Sequence, residues 1–172
     1  PLVMLFVIFI LATTSLWLPR ERILQRYLSL IACIVLGCVI GLRSFESGTD
    51  TLTYVRYFES IHTSAIQLEP IFYLYTRVFN SLGSETAYIF SLSILPLIFI
   101  HYSCITFNVD RPALVICLFL SFVPGIDLIT NGLRQGLALT MFLVVVGIAS
   151  SRPAIRAFLY VIPVLIHFQA SW

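Results

Sequence analysis

Residues 113–149 read ALVICLFLSFVPGIDLITNGLRQGLALTMFLVVVGIA, and this stretch decides the fold class. It contains only two charged side chains. A helix that crosses the hydrocarbon core of a bilayer needs about 20 predominantly apolar residues, so the stretch is long enough for two crossings, over 113–130 and 131–149. Because the two apolar runs almost touch, the sequence predicts a tight reversal from Asp127 to Gly132 at one membrane surface.

The rest of the chain has the same apolar character. Of its 172 residues, 59% are hydrophobic and 10% are charged, and the mean hydropathy is +1.00. A soluble domain has about 45–50% apolar and about 25% charged residues, so the composition argues against a soluble enzyme, a nucleic-acid binder or a disordered linker. We therefore predict an all-α fold, a polytopic transmembrane helix bundle that forms a single domain over 1–172, with further spans at 2–18, 27–42, 86–104 and 157–172.

The chain begins at Pro1, without a Met, and stops at Trp172 inside an apolar run. We expect it to be the N-terminal part of a longer polytopic membrane protein. Its four cysteines lie in apolar stretches and lack the spacing of metal ligands. They are predicted to be small buried hydrophobes, and not disulfides or metal ligands: Cys33, Cys38, Cys104 and Cys117.

The distribution of arginine predicts which side of the membrane each loop faces. All ten basic residues are Arg, and cytoplasmic loops carry an excess of basic residues, so loops 19–26 and 150–156 are predicted to be cytoplasmic. An even number of spans must then lie between loop 19–26 and the turn at 108–111. Residues 69–83 therefore cannot form a further span. We interpret them as a short interfacial or re-entrant helix within a continuous outer-face segment, 43–85.

Two polar residues of the outer-face segment each have two interpretations. Arg43 lies at the end of a span, where its guanidinium either reaches the lipid headgroups or binds a phosphate. Asp50 precedes a short amphipathic helix whose apolar stripe would contain Leu52, Val55, Phe58 and, at its end, Ile61. Taken alone, Asp50 is more simply explained as the N-cap of that helix than as a catalytic carboxylate.

Two further polar positions are predicted on the same face. Arg134 and Gln135 occupy the first turn of the span that follows the reversal, where helix N–H groups and a guanidinium together can bind an anion. Gly132 and Gly136 have GxxxG spacing, which indicates close helix packing but does not explain Arg134. His167 lies near the outer end of the last span and, taken alone, is more simply a satisfied interior residue.

Together these residues resemble the EpsG family of bacterial exopolysaccharide polymerases, relatives of the Wzy-type O-antigen polymerases. The resemblance covers almost the whole chain. It depends on four pieces in order: Arg43 followed by Gly48-Thr49-Asp50 and Tyr54, then Glu69-Pro70 with Phe72, then Arg134-Gln135 at the start of a helix, and then His167 followed by a small residue.

The resemblance implies a GT-C-like glycosyltransferase in the bacterial inner membrane, with its site facing the periplasm or the cell exterior. A growing glycan on undecaprenyl pyrophosphate would be transferred to the non-reducing end of an incoming lipid-linked repeat unit, with no cofactor and no metal. The implied partners are the undecaprenyl-pyrophosphate-linked glycan, membrane lipid and other polysaccharide-assembly proteins, and no nucleic acid is among them.

This function assigns roles to the polar residues. The leaving pyrophosphate needs cations near the membrane surface, and Arg fits phosphate oxygens with two parallel hydrogen bonds. Arg43 and Arg134 are the candidates, and Gln135 would bind substrate beside Arg134. Tyr54 would either stack on a sugar ring or anchor its helix at the interface.

The acceptor hydroxyl needs a base within hydrogen-bond reach. The candidates are Asp50, which we prefer, Glu69 close behind it, and His167. Two other functions stay open at this point. A transporter or flippase for a polyisoprenoid-linked glycan would gather its charges near the membrane midplane, and a non-catalytic subunit of a polysaccharide assembly would not need Asp50 or Arg134.

Overall fold

The computed structural model describes residues 2–44, 50–62, 69–148 and 153–167. Within these ranges the chain forms nine helices and no strand, which confirms the predicted all-α fold. The helices are α1 (Leu2–Trp17), α2 (Arg22–Gly41), α3 (Thr51–Glu59), α4 (Pro70–Ser81), α5 (Glu85–Thr106), α6 (Pro112–Ser121), α7 (Val123–Thr130), α8 (Leu133–Ile148) and α9 (Pro153–Ile166).

Two of the described helices, α2 and α5, are long and apolar enough to cross a membrane, with 20 and 22 residues. The pair α6 and α7 passes the same test and would make a third crossing, although the two helices are bent by 89° where they meet. Helices α1 and α8 are apolar but shorter, at 16 residues each. These features fit a helical membrane bundle. The six spans and their single domain stay predictions.

The stretch 113–130 is the clearest difference from the sequence analysis, because the structure divides it into α6 and α7. Phe122, between the two helices, has an extended backbone (φ −89°, ψ 136°), and Pro124 lies in the first turn of α7. Proline has no N–H, and its ring clashes with the carbonyl four residues earlier in a continuous helix. The helix therefore ends at Ser121 and restarts in a new direction.

Two other helices begin earlier than their apolar runs. Helix α2 begins at Arg22, and not at residue 27, because charged residues can continue a helix beyond the apolar part that defines a span. Helix α9 occupies Pro153–Ile166, whereas the span was predicted over 157–172. Proline favours the first helical position, which explains this start. The residues after His167 lie outside the described residues, as do Gly48 and Thr49 of the family motif.

Helix α5 passes between two clusters of buried apolar side chains. Its C-terminal half packs with α1, α2, α6 and α7 in the first cluster, where Leu36, Leu97 and Ile116 are fully buried. Its N-terminal half packs with α3, α4, α8 and α9 in the second cluster, around Phe72 and Tyr88. The second cluster lies beneath the polar residues that the sequence analysis selected.

The two ends of the bundle carry different polar groups. At one end, the carbonyl of Ser15 in α1 accepts hydrogen bonds from Arg111 (2.6 Å) and from Gln25 near the start of α2 (3.2 Å). At the other end, Arg43 follows α2 and donates to the carbonyl of Thr130 at the end of α7. A 20-residue helix is about 30 Å long. Helix α2 therefore separates the end of the bundle near Ser15 from the end that carries Arg43.

The cysteines agree with their prediction as small buried hydrophobes. Cys33, Cys104 and Cys117 are buried in the first cluster, Cys38 is half-buried, and all four are free. In the described part of the chain, no group of three or more His, Cys, Asp or Glu side chains is arranged to hold a metal ion.

Candidate functional site

An open cleft of about 350 Å³ lies at the end of the bundle where α3, α7, α8 and α9 meet. It contains five of the seven predicted site residues, together with Asp127 of α7 and the two residues that join α7 to α8, Asn131 and Gly132. The reversal predicted from Asp127 to Gly132 is thus shorter in the structure, because α7 continues to Thr130. Among the described residues, its lining consists of Asp50, Tyr54, Asp127, Asn131, Gly132, Arg134, Gln135 and His167.

Arg134 is a half-buried cation at the base of the cleft. Its Nη1 donates to Oε2 of Glu69 at 2.6 Å, and the two side chains are 22% and 15% exposed. The guanidinium carbon lies over the rings of Phe72 and Tyr57, 5.5 and 5.7 Å from their centroids. A guanidinium has five N–H donors, and the Nε of Arg134 has no hydrogen-bond partner among the described residues. Arg134 also lines the cleft, so an anion in the cleft would meet a cation that is already paired with Glu69.

Glu69 lies between Arg134 and His167. Its Oε2 accepts from Arg134, and its Oε1 is 3.6 Å from Nδ1 of His167. It precedes Pro70 with an extended backbone (φ −61°, ψ 143°), which directs the side chain away from α4. Since each of its oxygens faces a partner, the Glu69 carboxylate is suited to orient the arginine and the imidazole. It is less suited to receive a proton from a substrate.

Asp50 occupies the N-cap position of α3, but its side chain makes no capping hydrogen bond in the described residues. Its backbone carbonyl instead accepts from the N–H groups of Thr53 (2.9 Å) and Tyr54 (3.2 Å). The carboxylate is exposed and lines the cleft. The simpler interpretation of Asp50, a side-chain cap, is therefore wrong in this structure.

The amphipathic helix α3 forms where it was predicted, with one change to its buried stripe. Val55 and Phe58 are buried as expected, together with Tyr54 and Thr51. Leu52 is 45% exposed and so does not belong to the stripe. The physical reason is helical spacing, since residues three and four apart share a face, and the buried face is centred on Thr51, Tyr54 and Phe58. Val55 lies at one edge of this face, and Leu52 lies beyond that edge.

Tyr54 connects α3 to the start of α8. Its Oη accepts a hydrogen bond from the backbone N–H of Arg134 at 3.4 Å. Its ring is packed edge-on against Tyr57 and Phe72, with both centroid distances 6.0 Å. Tyr54 is only 5% exposed, so its ring faces are not open to a stacked sugar. Burial raises the pKa of the Tyr54 hydroxyl, which therefore stays protonated near neutral pH and can donate into the cleft.

The N-terminus of α8 differs from the anion site that the sequence predicted. The N–H of Leu133 donates to the carbonyl of Asn131 at 2.8 Å, and the N–H of Arg134 donates to Tyr54. The first two N–H groups of the helix thus have protein partners. The capacity of this site to bind an anion depends on the guanidinium of Arg134 and on the side chains around it, such as Gln135.

Arg43 lies beside the cleft and holds three helix ends together. Its Nη1 donates to the carbonyl of Ile40 at 2.9 Å, and its Nη2 donates to Thr51 Oγ1 at 2.9 Å and to the carbonyl of Thr130. The guanidinium thus joins α2, α3 and α7. This arrangement indicates a structural role, and the two sequence interpretations, a headgroup contact or a phosphate ligand, stay predictions.

Asp127 and Asn131 line the cleft and were not among the predicted site residues. Nδ2 of Asn131 donates to Oδ1 of Asp127 at 2.7 Å, across one turn at the end of α7. The signal was present in the sequence, because Asp127 is the single acidic residue in the stretch 113–149. Asp127 falls at the start of the predicted reversal, however, and a turn position alone indicates no further role.

The GxxxG spacing has one tightly packed member. A Cβ added to Gly136 would lie 2.2 Å from the carbonyl oxygen of Leu128 in α7, whereas one added to Gly132 would meet only the end of the Gln135 side chain, at 3.2 Å. Close packing is thus found at Gly136.

We expect Gly136→Ala to lower the free energy of unfolding by about 1–3 kcal/mol, because α8 must move away from α7. Gly132→Ala is the matched control and should cost much less, since a flexible side chain can move aside. Thermal unfolding of the purified protein in detergent measures both. Equal loss of stability in the two variants would contradict the close contact at Gly136.

A family model described as the EpsG family matches residues 26–171, which is most of the chain. The match includes the whole region between Arg43 and His167, and thus every residue proposed for the site. No curated protein matches the chain, and neither does any solved structure.

Proposed function

The chain belongs to the EpsG family, and on that premise we propose that it is a glycosyltransferase that polymerises undecaprenyl-pyrophosphate-linked repeat units. The family itself indicates a polysaccharide-polymerase-like membrane protein. The observation that carries the more specific proposal is the cleft, in which the cation Arg134 and the exposed carboxylate of Asp50 line the same space.

Arg134 is proposed to bind the pyrophosphate of the donor lipid. Negative charge develops on the leaving pyrophosphate as the sugar–oxygen bond breaks, and a preoriented cation stabilises that charge. Glu69 and the rings of Phe72 and Tyr57 fix the guanidinium in place. Phosphate oxygens would bind the part of the guanidinium that lines the cleft. Gln135, which follows Arg134 in sequence and also lines the cleft, would add a polar contact to the substrate.

Asp50 is proposed to be the general base. The acceptor hydroxyl would transfer its proton to the Asp50 carboxylate, its oxygen would form a bond to the anomeric carbon of the donor sugar, and the bond from that carbon to the pyrophosphate oxygen would break. The Asp50 carboxylate supports this role because it is exposed and makes no capping hydrogen bond in the described residues. Glu69 is the second choice because it is already engaged with Arg134, and His167 is the third.

The proposal can be tested with the full-length protein in proteoliposomes. Lipid-linked repeat units are supplied without a nucleotide sugar, and the product is analysed for a ladder of glycan lengths. We expect the wild type to form the ladder. Complete absence of transfer would contradict the proposal and would favour a non-catalytic subunit or a transporter. The position of the cleft at one end of the bundle argues against the transporter, whose charges should lie near the midplane.

The site is proposed to face the periplasm, or the cell exterior, of a bacterial inner membrane. In a variant with its native cysteines replaced, Cys introduced at Ser60 or at Ser84 should react with a membrane-impermeant maleimide added to intact cells or spheroplasts. Both positions belong to the outer-face segment, and both should be labelled from the same side. Labelling of Ser84→Cys only after the cells are broken would contradict this orientation.

A further inference from the structure

A second cavity, which we name the apolar groove, lies between α4, α5, α8 and α9 and has a volume of about 140 Å³. Among the described residues, its wall is formed by apolar atoms of aliphatic and aromatic side chains. The single lining residue with a hydroxyl is Tyr75, and that hydroxyl is hydrogen-bonded to Ser91 of α5. The other residues that we use below are Phe72, Leu137, Met141 and Ile166.

The apolar groove lies next to the cation of the cleft, with one side chain between them. The ring of Phe72 lies under the Arg134 guanidinium and also forms part of the groove. Leu137 and Met141 follow Arg134 by one and two turns on the same face of α8. On α9, Ile166 of the groove directly precedes His167 of the cleft. An anionic group at Arg134 would thus lie one side chain away from the apolar groove.

We propose that the apolar groove binds the head-proximal part of a single polyisoprenoid chain, whose diphosphate is bound by Arg134. This inference rests on the proposed function and assigns the donor lipid a tail site. The charge of Arg134 complements the diphosphate, and the groove beside it holds one narrow hydrocarbon segment. A phospholipid carries two chains on each headgroup, and it fits a site with one cation and one narrow groove less well.

The expected benefit is orientation. Membrane lipid around the protein is as apolar as the groove, so moving a hydrocarbon chain from the bilayer into it gains little hydrophobic free energy. Holding the first part of the chain fixes the direction in which the diphosphate and the sugar leave it. A correctly oriented reactant lowers the entropic part of the barrier.

The test compares two tryptophan substitutions on α8 in the full-length protein. Met141→Trp fills the apolar groove, whereas Leu139→Trp places the same ring at a position of α8 that is 45% exposed. We expect Met141→Trp to raise the KM for the polyprenyl-linked donor about tenfold, the equivalent of about 1.4 kcal/mol. Inhibition by inorganic pyrophosphate should be unchanged, which shows that the site at Arg134 is intact. Leu139→Trp should resemble the wild type in both measurements.

A second measurement needs no variant. A polyprenyl diphosphate with a photoreactive group near its head is crosslinked to the wild type, and the labelled peptides are identified. We expect label on α8 and α9 at Leu137, Met141 or Ile166, and no displacement by excess phosphatidylglycerol. Label elsewhere, displacement by phosphatidylglycerol, or equal KM values for the two tryptophan variants would overturn the tail site. Groove labelling without any glycan transfer would support the tail site and overturn the proposed transferase.

Discussion

Asp50→Asn should lower the rate of polymerisation by about 10²–10⁴-fold, the usual effect of removing a general base. The protein should stay folded and reach normal abundance in the membrane, because Asn caps a helix about as well as Asp and because the Asp50 side chain makes no capping hydrogen bond. Unpolymerised lipid-linked repeat units should accumulate. Their amount and the initial rate of transfer in proteoliposomes are the measurements.

Glu69→Gln is the matched control for Asp50→Asn, since it removes a carboxylate on the same face without touching α3. The amide can still accept a hydrogen bond from Arg134, so a smaller loss of rate is expected. If Asp50→Asn polymerises normally and Glu69→Gln does not, then Glu69 is the base. If both variants behave as the wild type, the base is His167 or a residue outside this chain.

Arg134→Lys should reduce polymer yield by about 10²-fold although it keeps the positive charge. An ammonium is a point charge without the planar fork of donors, so it cannot bind Glu69 and a phosphate edge together, nor lie flat over Phe72 and Tyr57. The constant for inhibition by inorganic pyrophosphate should rise in parallel. Equal yield from the Lys and Arg proteins would mean that this residue supplies only surface charge.

Arg43→Lys is the matched control for the arginine prediction. Because the Arg43 guanidinium donates to Ile40, Thr51 and Thr130, its replacement should lower the thermal unfolding temperature and change pyrophosphate inhibition little. A rise in the inhibition constant as large as that of Arg134→Lys would show that the phosphate also contacts Arg43.

Much of the fold follows from the local sequence. The apolar runs 27–42 and 86–104 set the positions of the long helices α2 and α5, and the spacing of Val55 and Phe58 sets the buried side of α3. The order of the polar motifs predicts seven site residues, and five of them line one cleft. Such features depend on composition and helical periodicity, which act over a few turns and can be read without knowing the partners of a helix.

The remaining features depend on contacts between distant parts of the chain. Glu69 and Arg134 are 65 residues apart, and nothing in either local sequence shows that they form an ion pair. The partners of Arg43 are two backbone carbonyls and one hydroxyl group. Whether the guanidinium reaches them depends on where α3 begins and where α7 ends, which the sequence around Arg43 does not show. Pro124 is a local signal for the break at Phe122. The hydrophobicity of the stretch 113–130, taken alone, predicts one continuous helix instead.

The central position of α5 has a consequence for how the molecule unfolds. Since one continuous helix of 22 residues supplies buried side chains to both apolar clusters, neither cluster can lose its packing while the other keeps a complete set of contacts. Cooperative units of this kind melt together. Destabilising substitutions in the first cluster, far from the cleft, should therefore lower the concentration at which denaturant abolishes pyrophosphate binding.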